Sequence, residues 1–66
     1  MKIFLNGENI DCGAACTVAE LVKRHRLRPE TTLVEINGTA LHRRGWREHV
    51  LQENDRIEIL RVAAGG

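Results

Sequence analysis

Apolar and polar residues alternate through the first dozen positions, MKIFLNGENIDC, with one break at Asn6-Gly7. Alternation sends successive side chains to opposite faces of a strand, and Asn-Gly accepts positive φ at both central positions of a type I′ turn. The stretch therefore predicts a β-hairpin with a two-residue loop. In that register Leu5 faces Glu8, Phe4 faces Asn9, Ile3 faces Ile10, Lys2 faces Asp11 and Met1 faces Cys12. Met1, Ile3, Leu5, Ile10 and Cys12 then share one side, assigned to the core. Lys2, Phe4, Asn9 and Asp11 share the other, so Phe4, the only phenylalanine, looks outward.

The period changes at Thr17. Val18, Leu21, Val22 and His25 follow the i, i+3, i+4, i+7 spacing of one helix face. Thr17 and Glu20 form the T-x-x-E capping box that opens a helix, and Pro29 forbids its continuation. Lys23, Arg24 and Arg26 fall in the last turns, where positive charge suits the helix dipole. Alternation returns in TLVEINGTAL, a strand with Val34 and Ile36 inward followed by a tight turn at Asn37-Gly38. HRRGWREHVLQEND is irregular, with room for one helical turn around Trp46 and with Val50 or Leu51 plugging the core. After a turn at Asn54-Asp55, Arg56 to Val62 makes the last strand, with Ile57 and Ile59 on the core side and Glu58, Leu60 and Val62 on the other.

Hairpin, helix, strand, short strand and last strand, joined by short connections, close around one core if the helix crosses the sheet and the last strand returns beside the first, parallel to it. The predicted fold is therefore α+β, a β-grasp: a mixed sheet of four to five strands packed on one helix. The domain covers residues 1–62, and Ala63, Ala64, Gly65 and Gly66 are expected to form a flexible tail. If the first and last strands are neighbours, Phe4, Leu60 and Val62 fall together on the outer face, next to the root of that tail. An exposed apolar patch on a small domain marks a partner surface.

Sixty-six residues make one domain with a single thin core, which disfavours an enclosed active site. Ten basic residues against nine acidic leave a formal net charge of +1, so no overall field draws the chain to nucleic acid or membrane. No stretch reaches the ~20 apolar residues of a bilayer span, and the polar opening does not read as an export signal, so a cytoplasmic location is expected. Cys12 and Cys16 are expected to be free thiols with packing roles. His25, His42 and His49 have no shared spacing, no metal pattern is visible, and no catalytic residue is assigned. Trp46 is expected to act as a core lid at the sheet edge.

The Asn-Gly hairpin at the start, TVAELV at the helix, VEINGTALHRRGW, VLQENDRIEIL and the terminal Gly65-Gly66 together resemble the ThiS-type sulfur carriers of thiamine biosynthesis, ubiquitin-like β-grasp proteins. The resemblance spans essentially the whole chain. Two positions depart from the pattern, His42 where many relatives carry proline and Asn54 where they carry glycine; Asn also tolerates positive φ. The resemblance implies that a ThiF-type adenylyltransferase, using ATP and Mg²⁺, adenylates the Gly66 carboxylate. It implies further that sulfur from a cysteine desulfurase or sulfurtransferase system replaces AMP, and that the resulting thiocarboxylate serves a ThiG-type thiazole synthase. The protein would then be a carrier and substrate with no bound cofactor. Gly66 would react, Gly65, Ala64 and Ala63 would thread the partner's channel, and Phe4, Leu60, Val62 and Arg61 would make the interface. A sister carrier such as the molybdopterin synthase small subunit, or a ubiquitin-like modifier joined to lysines, fits the same outline.

Overall fold

The computed structural model describes residues 1–62. In chain order these form β1 (Lys2–Leu5), β2 (Glu8–Asp11), α1 (Val18–Arg24), a 3-10 turn (Pro29–Thr31), β3 (Thr32–Ile36), β4 (Thr39–Leu41), a second 3-10 turn (Arg43–Gly45) and β5 (Arg56–Arg61). The strands make one five-stranded sheet in the order β2-β1-β5-β3-β4, with β5 central, parallel to β1 and antiparallel to β3. This is the β-grasp predicted from the alternating and helical periods.

Both hairpins form on their Asn-Gly pairs. Asn6 and Gly7 take φ of 49° and 85°, and Asn37 and Gly38 take 50° and 86°. A two-residue loop leaves no freedom of register, so Lys2 to Leu5 pair with Asp11 to Glu8 as the alternation requires. Asn54 also adopts positive φ, 69°, so the last turn does without glycine.

The α1 N-terminus is fully satisfied. Glu20 donates its backbone N–H to Thr17 Oγ1, and Thr17 returns its own N–H to Glu20 Oε1, at 3.1 and 2.8 Å. Val18 and Ala19, the next two donors, bond to the carbonyls of His49 and Trp46. The capping box and residues 46–49 thus fix where the helix begins. Its stripe is Val18, Leu21 and Val22, all buried, whereas His25 is exposed at the C-cap and does not extend it. The helix stops earlier than Pro29 demands because the chain reverses at Arg26, φ 55°. There Arg26 N–H bonds to Lys23 O and Leu27 N–H to Val22 O, a Schellman closure.

The core lies between α1 and one sheet face. Ile3, Cys12, Val34, Ile36, Ile57 and Ile59 come from the sheet side and Val18, Leu21 and Val22 from the helix, with Cys16, Trp46 and Leu51 closing the rim. Leu51 is the plug at 2% exposure, and Val50 points out at 55%. Trp46 is buried and donates Nε1–H to the Leu41 carbonyl at 3.1 Å, so it does cover the β4 edge. Every buried side-chain nitrogen and oxygen among the described residues has a hydrogen-bond partner.

Candidate functional site

The helix covers only one side of the sheet. On the other side β5 presents Glu58 and Leu60, β3 presents Leu33 and Glu35, and the chain continues to Val62. Leu33 and Leu60 are direct cross-strand partners, 54% and 53% exposed, and Val62 is 46% exposed. Val62 donates its N–H to the Thr31 carbonyl at 2.8 Å, so ladder pairing persists to the last described residue. The outer face therefore carries an apolar group beside the point where residues 63–66 depart. Gly66, Gly65, Ala64 and Ala63 lie outside the described residues.

The patch differs from the expected one in its membership. Phe4 does sit on the outer face, but its cross-strand partner on β5 is Arg56, four residues before Leu60. Four residues of strand separate it from Leu60 by about 13 Å. Phe4 is also half-buried. Because β1 runs parallel to β5 and ends at Leu5, it cannot carry Phe4 to the far end of β5. Leu33 takes the place assigned to Phe4. The alternation that turns Val34 and Ile36 inward also turns Leu33 outward, but only the β3–β5 pairing reveals its neighbour. Arg61, also expected at the interface, is exposed at the end of β5 but pairs with the inward Thr32 and borders a hollow with Leu5, His25, Leu27 and Ile59, so alternation turns it to the α1 side, away from Leu60.

Asn6 holds the base of this site, a role that its turn signal did not disclose. β1 stops at Leu5, yet Asn6 carries the pairing onward with its side chain. Ile59 donates its N–H to Asn6 Oδ1 at 2.8 Å, and Asn6 Nδ2 donates to the Ile59 carbonyl at 3.3 Å. The amide imitates a strand residue and fixes the backbone one position before Leu60. Asn37 does the same at the other end of β5: Arg56 N–H donates to Asn37 Oδ1 at 2.9 Å and Asn37 Nδ2 to Asp55 Oδ1 at 3.1 Å.

Beside the apolar pair, Glu35 and Glu58 are cross-strand partners on the same face. Cys12 and Cys16 are free and buried on the opposite side, and burial pushes the Cys16 thiol up, away from thiolate chemistry. Among the described residues no three His, Cys, Asp or Glu side chains are placed to hold a metal, and no helix is long and apolar enough to cross a membrane. The arrangement can dock a partner and present residues 63–66.

A β-grasp domain whose central strand leads past an uncovered apolar pair into Ala-Ala-Gly-Gly has the architecture of the ubiquitin-like β-grasp proteins. The ThiS family model matches residues 3–66, and the chain belongs to that family. It is 33% identical over 66 residues to the sulfur carrier protein ThiS of Escherichia coli K12, each chain being covered completely. It is 38% identical over its whole length to a stretch of the thiazole synthase of Magnetococcus marinus that makes up 20% of that protein. The crystal structure of the thiamine biosynthesis protein ThiS from Geobacter metallireducens superposes with a TM-score of 0.83 at 29% identity, covering both chains fully.

Proposed function

We propose that this protein is a sulfur carrier of thiamine biosynthesis, working through the carboxylate of Gly66. The observation that carries the reading is that family membership extends through Gly65-Gly66 and so includes the tail as well as the fold. In this reading a ThiF-type adenylyltransferase joins the Gly66 carboxylate to AMP, using ATP and Mg²⁺. The persulfide of a cysteine desulfurase or sulfurtransferase system then displaces AMP to give an acyl disulfide, a thiol reductant cleaves the S–S bond and frees the thiocarboxylate, and the thiocarboxylate passes its sulfur to a ThiG-type thiazole synthase. The similarity to a stretch of a named thiazole synthase supports that last partner.

The chemistry suits the residues. A carboxylate resists acyl transfer because it is anionic and has no stable leaving group; a mixed anhydride with AMP removes both obstacles. Gly66 has no side chain to crowd attack on its carbonyl carbon, and Gly65 adopts backbone angles closed to other residues. Ala63 and Ala64 keep the approach narrow. Leu33, Leu60 and Val62 would dock the partner. Phe4, half-buried beside Arg56, sits about 13 Å along the sheet from Leu60, outside their cluster.

The test is intact-mass measurement after incubation with a ThiF-type enzyme, ATP, Mg²⁺, a persulfide source and a thiol reductant. The mass should rise by the difference between one sulfur and one oxygen, and deletion of Gly66 should abolish the gain with the fold unchanged. An unchanged mass would remove the tail from the mechanism, and conjugates linked only through lysine would make the protein a modifier.

A further inference from the structure

A second surface combines an apolar floor with a rim of positive charge. α1, the turn after it and the 43–47 segment enclose an open groove of about 680 Å³. Its floor is Ala19, Val22, Leu27 and Pro29, resting on Trp46. Its rim is Lys23, Arg43, Arg44 and Arg47, opposed by Glu30 alone. Three net positive charges therefore gather here on a chain whose formal total is +1.

The rim cations are exposed, and none makes an ion pair among the described residues, where the one such pair joins the Met1 amino group to Asp11. They come from two separate elements, α1 and the 43–47 segment, which converge only in the fold. The Schellman closure at Arg26 sets Val22 and Leu27 side by side, and so builds the apolar floor from the helix end itself. A second hollow shares Pro29, Glu30, Arg43 and Trp46 with the groove and runs round the β4 edge to Leu33 and Leu60. The groove is thus continuous with the open face.

We propose that this groove binds an acidic, amphipathic peptide segment of a partner protein, with an apolar side chain on the Ala19–Val22–Leu27 floor and carboxylates on Lys23, Arg43, Arg44 and Arg47. Charge complementarity selects an acidic occupant, and the apolar floor selects one carrying a hydrophobic anchor. Single-stranded nucleic acid, the other polyanion, needs an aromatic face for stacking. Trp46 offers none, being 4% exposed with its N–H held by Leu41, and Phe4 lies on the other side of the sheet. The proposal stands apart from the sulfur-carrier reading and survives or fails without it.

Trp46, the only tryptophan, lies directly under the floor and reports occupancy. The probe is a synthetic acetylated and amidated peptide of glutamates around one leucine, titrated into the full-length protein and followed by tryptophan fluorescence and backbone amide shifts. Saturable binding is expected, with the largest shifts at Ala19, Val22, Lys23 and Arg47. Raising ionic strength from about 0.03 to 0.3 M should weaken it roughly tenfold, since exposed charges are screened within a few ångströms at the higher salt. The double variant Arg43→Glu/Arg47→Glu should bind roughly tenfold or more weakly, through lost attraction and added repulsion. If that variant unfolds, Lys23→Glu on the helix makes the same test. The proposal is overturned by no saturable response at millimolar peptide, by equal binding to the folded charge-reversal variants, or by shifts confined to Leu33 and Leu60. An oligothymidylate that binds the groove more tightly than the peptide overturns it as well.

Discussion

On β5, Ile57 and Ile59 face α1 and are 1% and 9% exposed, while Leu60, the next residue, faces away and is 53% exposed. The same alternation makes both faces, and a single helix covers only one of them. On the covered face an apolar side chain belongs to the core that holds the domain together; on the open face a side chain just as large leaves half its surface in water and contributes little to that core. Chemical type alone does not separate the two roles. Position in the pleat does, and the contrast can be tested by cutting into each face in turn.

The largest effect belongs to the covered face. Ile57→Ala leaves a hole in the core cluster that also holds Ile3, Leu21 and Leu51, and should lower unfolding free energy by about 2–5 kcal/mol. A domain of this length has roughly 3–10 kcal/mol in total, so the variant should be partly unfolded at 37 °C by circular dichroism and urea titration. A loss under about 1 kcal/mol would contradict the close packing of this face.

Leu60→Glu is the matching cut on the open face. It should change urea stability by less than about 0.5 kcal/mol, as exposed substitutions do. Binding to a ThiF-type enzyme should weaken by about 2 kcal/mol, the size of an interface hot spot, measured by calorimetry. Leu33→Glu should behave alike because the two residues are cross-strand partners, whereas Phe4→Ala should leave binding nearly unchanged. If Phe4→Ala weakens binding as much as Leu60→Glu, the partner spans the full sheet and the compact patch is wrong.

How much of this was legible from sequence depends on the range of the interaction. Hairpin registers, the capping box and the inward sets on β3 and β5 are local consequences of period and turn chemistry, and they stand as read. The choice between Val50 and Leu51 stayed open because both are apolar and adjacent in an irregular stretch. The bridge between Thr17 and Val50, and Leu51 N–H bonding to Cys16 O, decided it. For Phe4, alternation gives the face and not the place along it; the stagger between β1 and β5 that sets Phe4 opposite Arg56 is a long-range quantity that no local pattern encodes. Asn6 read as a turn residue for its φ, and its second use, clamping the Ile59 backbone, needed the two strands side by side.

A smaller effect concerns α1, which makes one face covered. Glu20 accepts hydrogen bonds from Thr17, and the backbone one holds its carboxyl below the usual range. Asp11 is lowered in the same direction, chiefly by the Gly13 N–H and then by the Met1 amino group. Acids depressed in the folded state stabilise it above their unfolded pKa, and that contribution disappears as pH falls through the folded value. Stability should therefore be level near neutrality and decline below about pH 4. Glu20→Gln keeps an acceptor for Thr17 but does not titrate, so its decline between pH 5 and 3 should be shallower; parallel curves would exclude the carboxylate. Thr17→Ala should cost about 1 kcal/mol near neutrality.

The smallest effect has the opposite sign. Arg26 occupies the left-handed position of the Schellman closure at φ 55°, where glycine is the usual residue and a side chain costs about 1 kcal/mol. Its side chain is exposed and makes no ion pair among the described residues. Arg26→Gly should therefore raise stability by about 0.5–1 kcal/mol, seen as a higher urea midpoint with unchanged slope. The unfolded chain gains freedom from the new glycine, which holds the increase to the lower part of that range. The same change leaves Leu60 and Leu33 untouched, so binding at the open face should not move. A destabilised Arg26→Gly would mean that the guanidinium, and not the backbone closure, holds the helix end, and the Val22–Leu27 floor of the groove would have to be explained another way.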